Sequence, residues 1–320
     1  MVAAYPEEAA PRRHWIQERR GERDVVDAWR PHAFFIEEEY SESRTIVPVA
    51  TVFLTNRECP WRCLMCDLWK NTLTESVPAG AIPAQIDHAL TNLAHHRVRQ
   101  IKLYNSGSFF DERAVPRSDH EEIARRVSQF ERVIVECHPK LVSDSVLKFR
   151  DLIGTELEVA MGLETANPET LARLNKGMTL DDFANAAGFL TRNGVSVRAF
   201  ILLKPPFTTE ADGVLWAKRS IDFAFDCGVS VACVIPTRPG NGALDVLGAI
   251  GGFSPPRLRS LEDVVDYGIG LKGGRVFADV WDLERFSECE VCFGARKQRL
   301  NTINLTQQPQ PVVVCPQCER

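Results

Sequence analysis

The chain has 320 residues, of which 44% are hydrophobic and 25% are charged, and its formal net charge at pH 7 is −5. These proportions are typical of a globular protein with a sizeable core, and the negative charge gives no overall attraction to nucleic acid. No stretch approaches the roughly 18 consecutive apolar residues of a membrane-spanning helix, and the N-terminus lacks the apolar segment of a secretory signal. The sequence therefore predicts a cytoplasmic protein with no membrane partner.

The first part of the chain has mixed charge and scattered aromatic residues. It predicts an N-terminal arm over residues 1–44, with one short helix at about residues 22–30 packed on the outside of the fold. The charged run at residues 37–42 predicts an exposed turn.

From residue 45 onward, strand patterns alternate with helical patterns. Strands are predicted at about residues 46–55, 99–105, 132–137, 156–163, 196–203 and 229–235, and helices at about residues 79–95, 120–130, 143–152, 168–174, 180–192 and 210–226. Regular alternation implies parallel strands joined by right-handed crossovers. We therefore predict an α/β fold, a partial (β/α)6 barrel of the TIM type over residues 45–280. Sites in such folds lie at the C-terminal ends of the strands.

Three cysteines, Cys59, Cys63 and Cys66, have C-x3-C-x2-C spacing on the loop that follows the first predicted strand. Closely spaced thiolates favour soft metal centres such as iron–sulfur clusters and zinc. A [4Fe–4S] cluster takes four cysteines, so three of them leave one iron open to a substrate or cofactor. The alternative, a structural zinc knuckle, prefers C-x2-C pairs and a fourth ligand.

This cysteine motif, at this place in the chain, resembles the signature of the radical S-adenosylmethionine (SAM) superfamily. The resemblance implies that SAM chelates the open iron through its amino and carboxylate groups. It also implies that an electron, delivered by a reductant such as flavodoxin or ferredoxin, cleaves SAM to methionine and a 5′-deoxyadenosyl radical that abstracts a substrate hydrogen.

A glycine-containing turn follows the second predicted strand, at Ser106, Gly107 and Ser108. In radical SAM proteins a turn at this position meets the amino group of SAM, and glycine allows the close approach. The resemblance therefore implies a SAM-binding role for these three residues. The alternative is an ordinary Ser/Gly turn.

Four further residues are predicted to bind the cofactor. Glu164 ends the fourth strand and is predicted to hydrogen-bond SAM, and Lys176 is predicted to meet the SAM carboxylate. The alternative for Lys176 is a solvated lysine at a helix C-terminus. Met65 stands where the superfamily usually has an aromatic residue beside adenine, and a thioether packs on the same ring face. Arg198, on the fifth strand, completes the set.

Three residues are weaker candidates for catalysis. His138 follows the third strand, where the resemblance leads us to expect an arginine; it replaces that contact, faces the substrate, or lies on the surface. Lys204 follows the fifth strand, and Arg238 lies in the loop after the sixth strand, which is predicted to touch adenine or substrate.

Four segments carry a narrower resemblance, at residues 104–112, 162–166, 175–177 and 203–207. They resemble the radical SAM subunit of archaeosine synthases, and more broadly the tRNA-modifying elongator and methylthiotransferase-like group. That resemblance implies a modified nucleoside of the 7-deazaguanine type, in tRNA, as the substrate. The rival hypothesis is a small metabolite or natural-product intermediate, favoured by the acidic net charge. A hypothesis of another class is a non-catalytic iron–sulfur or zinc-binding protein.

The C-terminal segment, residues 281–320, contains two C-x2-C pairs, Cys289 with Cys292 and Cys315 with Cys318. With predicted β-rich stretches at 300–305 and 311–314, this pattern is typical of a zinc ribbon or knuckle. A second [4Fe–4S] cluster and unmetallated thiols are the alternatives. A basic turn between the pairs is predicted either to meet phosphate or to be solvated; it contains Arg296, Lys297 and Arg299.

Overall fold

A single curved sheet organises the chain in a computed structural model that describes residues 4–93 and 97–318. Its strands are β1 (Ala33–Tyr40), β2 (Ile46–Phe53), β3 (Gln100–Tyr104), β4 (Arg132–Glu136), β5 (Glu156–Glu164), β6 (Ser196–Leu203), β7 (Val231–Pro236) and β8 (Arg275–Ala278). They follow one another in sequence order across the sheet. β1 is antiparallel to β2, and each later pair is parallel. The α/β partial-barrel prediction is confirmed, because β2 to β7 occupy the six predicted strand regions.

The helices are α1 (Ala9–Gln17), α2 (Ala81–Asn92), α3 (His120–Val127), α4 (Asp144–Ile153), α5 (Pro168–Arg173), α6 (Leu180–Arg192), α7 (Glu210–Asp226), α8 (Ala243–Ala249), α9 (Leu258–Leu271) and α10 (Glu290–Thr306). The predicted end of the helix α2, at residue 95, lies outside the described residues. None of the helices in the described part of the chain has both the length and the apolar character needed to cross a membrane.

The predicted exposed turn at residues 37–42 is wrong, because most of it belongs to β1. Glu39 is buried, and its carboxylate lies 2.5 Å from both Lys102 Nζ and Arg198 Nη2. Arg198 also pairs with Glu158 at 2.5 Å. Side chains from β1, β3, β5 and β6 can form these ion pairs only in the interior of the barrel. The pairs lie near the N-terminal ends of the parallel strands. Glu39, one of the charges that suggested a surface turn, therefore belongs to a buried ion network.

The predicted helix at residues 22–30 is also wrong; the helix of the arm is α1. Trp15 and Ile16 of α1 are buried in a small core with Leu64 and Leu244, so the helix lies against the cysteine loop rather than on the outside of the barrel. Arg23 hydrogen-bonds the Trp69 carbonyl at 2.8 Å and the Thr72 hydroxyl at 2.7 Å. These contacts fix Arg23 at the start of a segment, residues 22–30, that has no helix.

The last helix, α10, packs against β1 and β8. The amide of Asn304 accepts from the Ala278 N–H at 2.8 Å and donates to its carbonyl at 2.9 Å. Gln307 does the same with Val276, at 2.7 and 3.0 Å. These two side chains satisfy the backbone of β8 at its outer edge, which would otherwise be open to pairing with another strand.

Candidate functional site

The cysteine loop leaves the C-terminal end of β2 and is tied to two other loops at the same end of the barrel. Leu64 N–H donates to the Leu174 carbonyl at 2.9 Å, after α5. Asn175 Nδ2 donates to the Arg62 carbonyl at 2.7 Å, and Asn241 Nδ2, in the loop after β7, donates to the Leu64 carbonyl at 2.7 Å. The loop is thereby anchored across the mouth of the barrel, where sites in this fold lie.

The three sulfurs of this loop are not all within 4.8 Å of one another. A tetrahedral zinc with bonds of about 2.3 Å places its sulfurs about 3.8 Å apart. Among the described residues, the one group of ligand atoms within 4.8 Å of one another is at the C-terminus, so the sulfurs of Cys59, Cys63 and Cys66 do not meet that spacing. Burial raises the pKa of Cys59 to about 11 and that of Cys63 and Cys66 to about 12. Such thiols lose their protons when a metal supplies positive charge.

The turn after β3 lies directly against the cysteine loop. A Cβ added to Gly107 would lie 3.2 Å from the Cβ of Cys59, so only glycine fits there without displacing the loop. Asn105 N–H donates to Glu136 Oε2 at 2.7 Å, and the N–H groups of Ser106 and Gly107 also hydrogen-bond this carboxylate. Burial raises the pKa of Glu136 to about 7. The N–H groups of the turn therefore face Glu136, a residue that sequence reasoning missed.

Ser108 contributes differently from its two neighbours. Its side chain is buried, its hydroxyl donates to Cys137 Sγ at 3.5 Å, and it accepts from the His138 N–H at 3.3 Å. The hydroxyl thus links the turn after β3 to the end of β4.

A buried ion pair joins Glu164 and Lys176 at the same end of the barrel. Lys176 Nζ lies 2.6 Å from Glu164 Oε1, and Glu164 has a left-handed backbone with φ of 67°. Burial alone disfavours the ammonium, but the charges of Glu164 and Cys63 outweigh it and hold the pKa of Lys176 above its ordinary value. The solvated-lysine alternative is wrong, since Lys176 is 8% exposed.

No family model matches the chain. In sequence it is 25% identical over 284 residues to archaeosine synthase subunit beta of Methanosarcina acetivorans, across 81% of this chain and 79% of that protein. In fold it is similar to the archaeal Elp3 of Methanocaldococcus infernus, with a TM-score of 0.51 and 15% identity over 70% of this chain and 58% of the other. It is also similar to Streptococcus suis SuiB bound to S-adenosylmethionine, with a TM-score of 0.50 and 13% identity over 74% of this chain and 50% of the other.

At these identities the structural likeness shows the fold alone, and the chain spans less than two thirds of either solved chain. The deciding observation is the combination of that fold with C-x3-C-x2-C on the loop at the mouth of the barrel. In both respects the chain resembles the radical SAM superfamily of enzymes. The sequence similarity to the M. acetivorans protein extends over most of both chains.

Two aromatic side chains pack together beside the cysteines of this loop. The rings of Trp61 and His138 stack with centroids 3.5 Å apart and an interplanar angle of 5°. His138 Nδ1 accepts from the Lys140 N–H at 3.2 Å, which leaves Nε2 to donate to the Lys176 carbonyl at 3.1 Å. Burial lowers the pKa of His138 to about 3. The surface alternative for His138 is therefore wrong, and Trp61 was not predicted.

The remaining predicted residues have other surroundings. Met65 packs beside the small core of α1 and α8. Lys204 Nζ bonds Ser254 Oγ at 2.7 Å and pairs with Glu210 at 2.9 Å, and Arg238 pairs with Asp279 at 2.8 Å. Arg198 lies five residues before the end of β6, about 16 Å at 3.3 Å per residue. Its ion pairs are made at the far end of the barrel from the cysteine loop.

The four C-terminal cysteines come together at the start of α10. Their sulfurs all lie within 4.8 Å of one another; Cys289 is 3.9 Å from Cys315, and Cys292 is 3.6 Å from Cys318. Backbone N–H groups, chiefly that of Cys292, lower the pKa of Cys289 to about 7. The four-cysteine segment of the predicted fold is confirmed as a group able to hold a metal ion.

The secondary structure of this segment was predicted wrongly. The stretch at 300–305 is helical in α10, and residues 311–314 form no strand. The solvated basic turn is also wrong, because Arg296 and Arg299 are buried and pair with Glu262. Lys297, on the opposite side of the helix, is exposed.

Proposed function

We propose that this chain holds a [4Fe–4S] cluster through Cys59, Cys63 and Cys66 and reductively cleaves SAM to start radical chemistry on a substrate. The bound cluster supplies an electron and SAM supplies the 5′-deoxyadenosyl radical, chemistry that side chains do not offer. The observation that carries this proposal is the contact of the Gly107 turn with Cys59, next to the buried Glu164–Lys176 pair.

The chain's own residues bind and orient the cofactor in this proposal. Because the N–H groups of Ser106 and Gly107 are directed to Glu136, the carbonyl groups of the turn are left to accept from the SAM ammonium. Lys176 binds the SAM carboxylate in this proposal, and Glu164 accepts from SAM hydroxyls or its amino group; their buried ion pair near the cysteine loop supports these roles. Met65 packs against adenine through its polarizable sulfur.

The proposed substrate is a modified nucleoside of the 7-deazaguanine type in tRNA. The support is the similarity to archaeosine synthase subunit beta of M. acetivorans over 81% of this chain, which is a family analogy. His138, Lys204 and Arg238 are the candidates for contact with substrate. Flavodoxin or ferredoxin is the proposed reductant.

We also propose that the C-terminal cysteines hold zinc. Sulfur pairs at 3.9 and 3.6 Å fit the roughly 3.8 Å edge of a tetrahedral zinc site. A [4Fe–4S] cluster places a separate iron behind each sulfur, so its ligands lie farther apart. Anaerobically purified protein should then contain about four irons and one zinc per chain, whereas eight irons without zinc would favour a second cluster.

The SAM-cleaving function is tested with anaerobically reconstituted, reduced protein. We expect 5′-deoxyadenosine from the wild type and none from Cys63→Ala, which should also lose the cluster absorbance. Cys227→Ala is the matched control, because Cys227 is a half-buried cysteine outside both cysteine motifs. A Cys63→Ala protein that still forms 5′-deoxyadenosine would reject the proposal.

A second experiment addresses the substrate class. Protein purified at low salt should retain tRNA and release it steeply as salt increases. Retention of a small organic compound and no RNA would instead favour the metabolite alternative.

A further inference from the structure

A cavity of about 440 Å³ lies on the side of the cysteine loop formed by Pro60 and Arg62. Its wall includes one carboxylate and five arginines, a set we call the arginine pocket: Glu58, Arg13, Arg23, Arg57, Arg62 and Arg113. The local excess of positive charge contrasts with the net charge of −5 for the whole chain. The pocket has the volume of a small-ligand site.

The single carboxylate of the pocket is already fully engaged. Glu58 pairs with Arg20 at 2.6 Å, with Arg62 at 3.1 Å, and with Arg23. Three guanidinium groups thus share one carboxylate. The buried Nε atoms of Arg20 and Arg62 have no hydrogen-bond partner within the described residues. One carboxylate therefore neutralises only part of the charge of these three guanidinium groups, and two of their N–H donors are unpaired within the described residues.

Two other arginines of the pocket have no acidic partner in the described part of the chain. Arg13 donates to the Pro60 carbonyl at 2.8 Å, and the side chain of Arg57 makes neither a hydrogen bond nor an ion pair there. Arg113 is different, because its guanidinium makes two hydrogen bonds of 3.0 Å to the carboxylate of Asp111. Arg13 and Arg57 are thus the guanidinium groups most available to a ligand.

The chemistry of the pocket favours phosphate. Guanidinium groups bind phosphate through two parallel hydrogen bonds, and several converging on a concavity select a compact anion over a flat protein surface. A second cavity of about 310 Å³ shares Arg13 and Arg62 and adds the indole of Trp61. Aromatic side chains beside a cationic groove are typical platforms for unstacked bases. A nucleotide chain offers both a phosphate and an unstacked base in each repeating unit.

We infer that the arginine pocket binds backbone phosphates of an RNA substrate and holds it beside the mouth of the barrel. This inference rests on the RNA substrate of the proposed function. Because Pro60 and Arg62 lie between two cluster cysteines, RNA bound in the pocket touches the same loop that holds the metal. The net negative protein thereby presents a local positive surface where RNA must approach.

The test compares Arg13→Gln/Arg57→Gln with Arg192→Gln/Arg219→Gln, which removes two charges from exposed positions on α6 and α7. Binding of total tRNA is measured over a series of salt concentrations. We expect about tenfold weaker binding for the pocket variant and a loss of up to about two from the salt slope, with no change in the control. A second variant, Arg57→Glu, keeps the Arg13–Pro60 contact and should also weaken tRNA binding. The native Arg57 side chain makes no hydrogen bond within the described residues, so its replacement breaks none there.

Iron content and 5′-deoxyadenosine formed with a chemical reductant are measured on the same proteins. Both should match the wild type, which separates lost RNA binding from damage to the cysteine loop. Unchanged tRNA affinity and salt slope in the pocket variants would overturn the inference. So would unchanged RNA binding with slower reduction by a flavodoxin, which would assign the pocket to an acidic protein. A wild type that cleaves SAM and binds no tRNA would overturn the inference and leave SAM cleavage in place.

Discussion

Glu164 Oε1 and Lys176 Nζ lie 2.6 Å apart, directly over the α-carbon of Gly162. A Cβ at Gly162 would lie 2.2 Å from the carboxylate oxygen and 2.4 Å from the ammonium nitrogen. The absence of a side chain at residue 162 is therefore what gives this ion pair its place at the mouth of the barrel.

We predict that Gly162→Ala weakens SAM binding by about tenfold. The added methyl group displaces the Glu164–Lys176 pair, and poor placement of binding groups by about 1 Å has effects of this size or larger. Equilibrium binding of SAM to anaerobic protein measures the change. Gly270→Ala is the control, since a Cβ there has no atom within 4 Å. Unchanged SAM affinity in Gly162→Ala would show that the pair does not contact the cofactor.

Arg198→Met should destabilise the fold and leave SAM binding intact. The substitution leaves Glu39 and Glu158 buried without their shared guanidinium, and breaking a buried pair costs about 3–5 kcal/mol. Urea unfolding measures the loss, with Arg192→Met at an exposed position as the control. If Arg198→Met instead keeps its stability and loses SAM affinity, the cofactor-binding role predicted from the sequence is correct.

The six central strands could be predicted because each is a mostly apolar segment followed by a helix. β1 could not, because the partners of Glu37 and Glu39 are distant in sequence: Lys102 is 65 residues from Glu37, and Arg198 is 159 residues from Glu39. Nothing local distinguishes those glutamates from surface residues. In α10 the buried residues Cys292, Arg296, Arg299, Leu300 and Ile303 have helical spacing. Three of those positions are charged or metal-ligating, which obscures the apolar pattern.

The same limit applies to the site. The cysteine positions could be predicted because their spacing is local. Gly107, in the turn at the end of a strand, is a local signal too. The Trp61–His138 stack joins residues from two loops, and the Glu136 carboxylate is 31 residues from the backbone it accepts from. Only the folded barrel brings these groups together.

His138 should make the stability of the fold depend on pH. Burial lowers its pKa from the ordinary 6.5 to about 3. Between pH 3 and pH 6.5, His138 is therefore protonated in the unfolded chain and neutral in the folded chain. Stability is full above pH 6.5 and decreases on acidification, by up to about 1.4 kcal/mol per pH unit. His138→Phe keeps an aromatic ring on Trp61 and should remove this part of the slope.

Urea unfolding at several pH values from 5 to 7 measures the effect. His14→Phe is the control, because the His14 side chain is 79% exposed. Glu136 is present in all three proteins, so its own titration cancels in the comparison. Equal slopes for the wild type and His138→Phe would contradict the prediction.

Arg296→Gln should weaken metal binding at the C-terminal cysteines. Arg296 Nε donates to Cys292 Sγ at 3.2 Å, and its other nitrogens bond Glu262 and, at 3.2 Å, the Val313 carbonyl. This guanidinium orients one sulfur ligand and ties the segment before Cys315 to α10. Loss of such outer contacts lowers metal affinity by about 10–100-fold. Competition with a chromogenic chelator measures the affinity, and Lys297→Gln, which removes an exposed charge one residue away, should leave it unchanged. Equal affinities for both variants would mean that the four sulfurs alone determine metal binding.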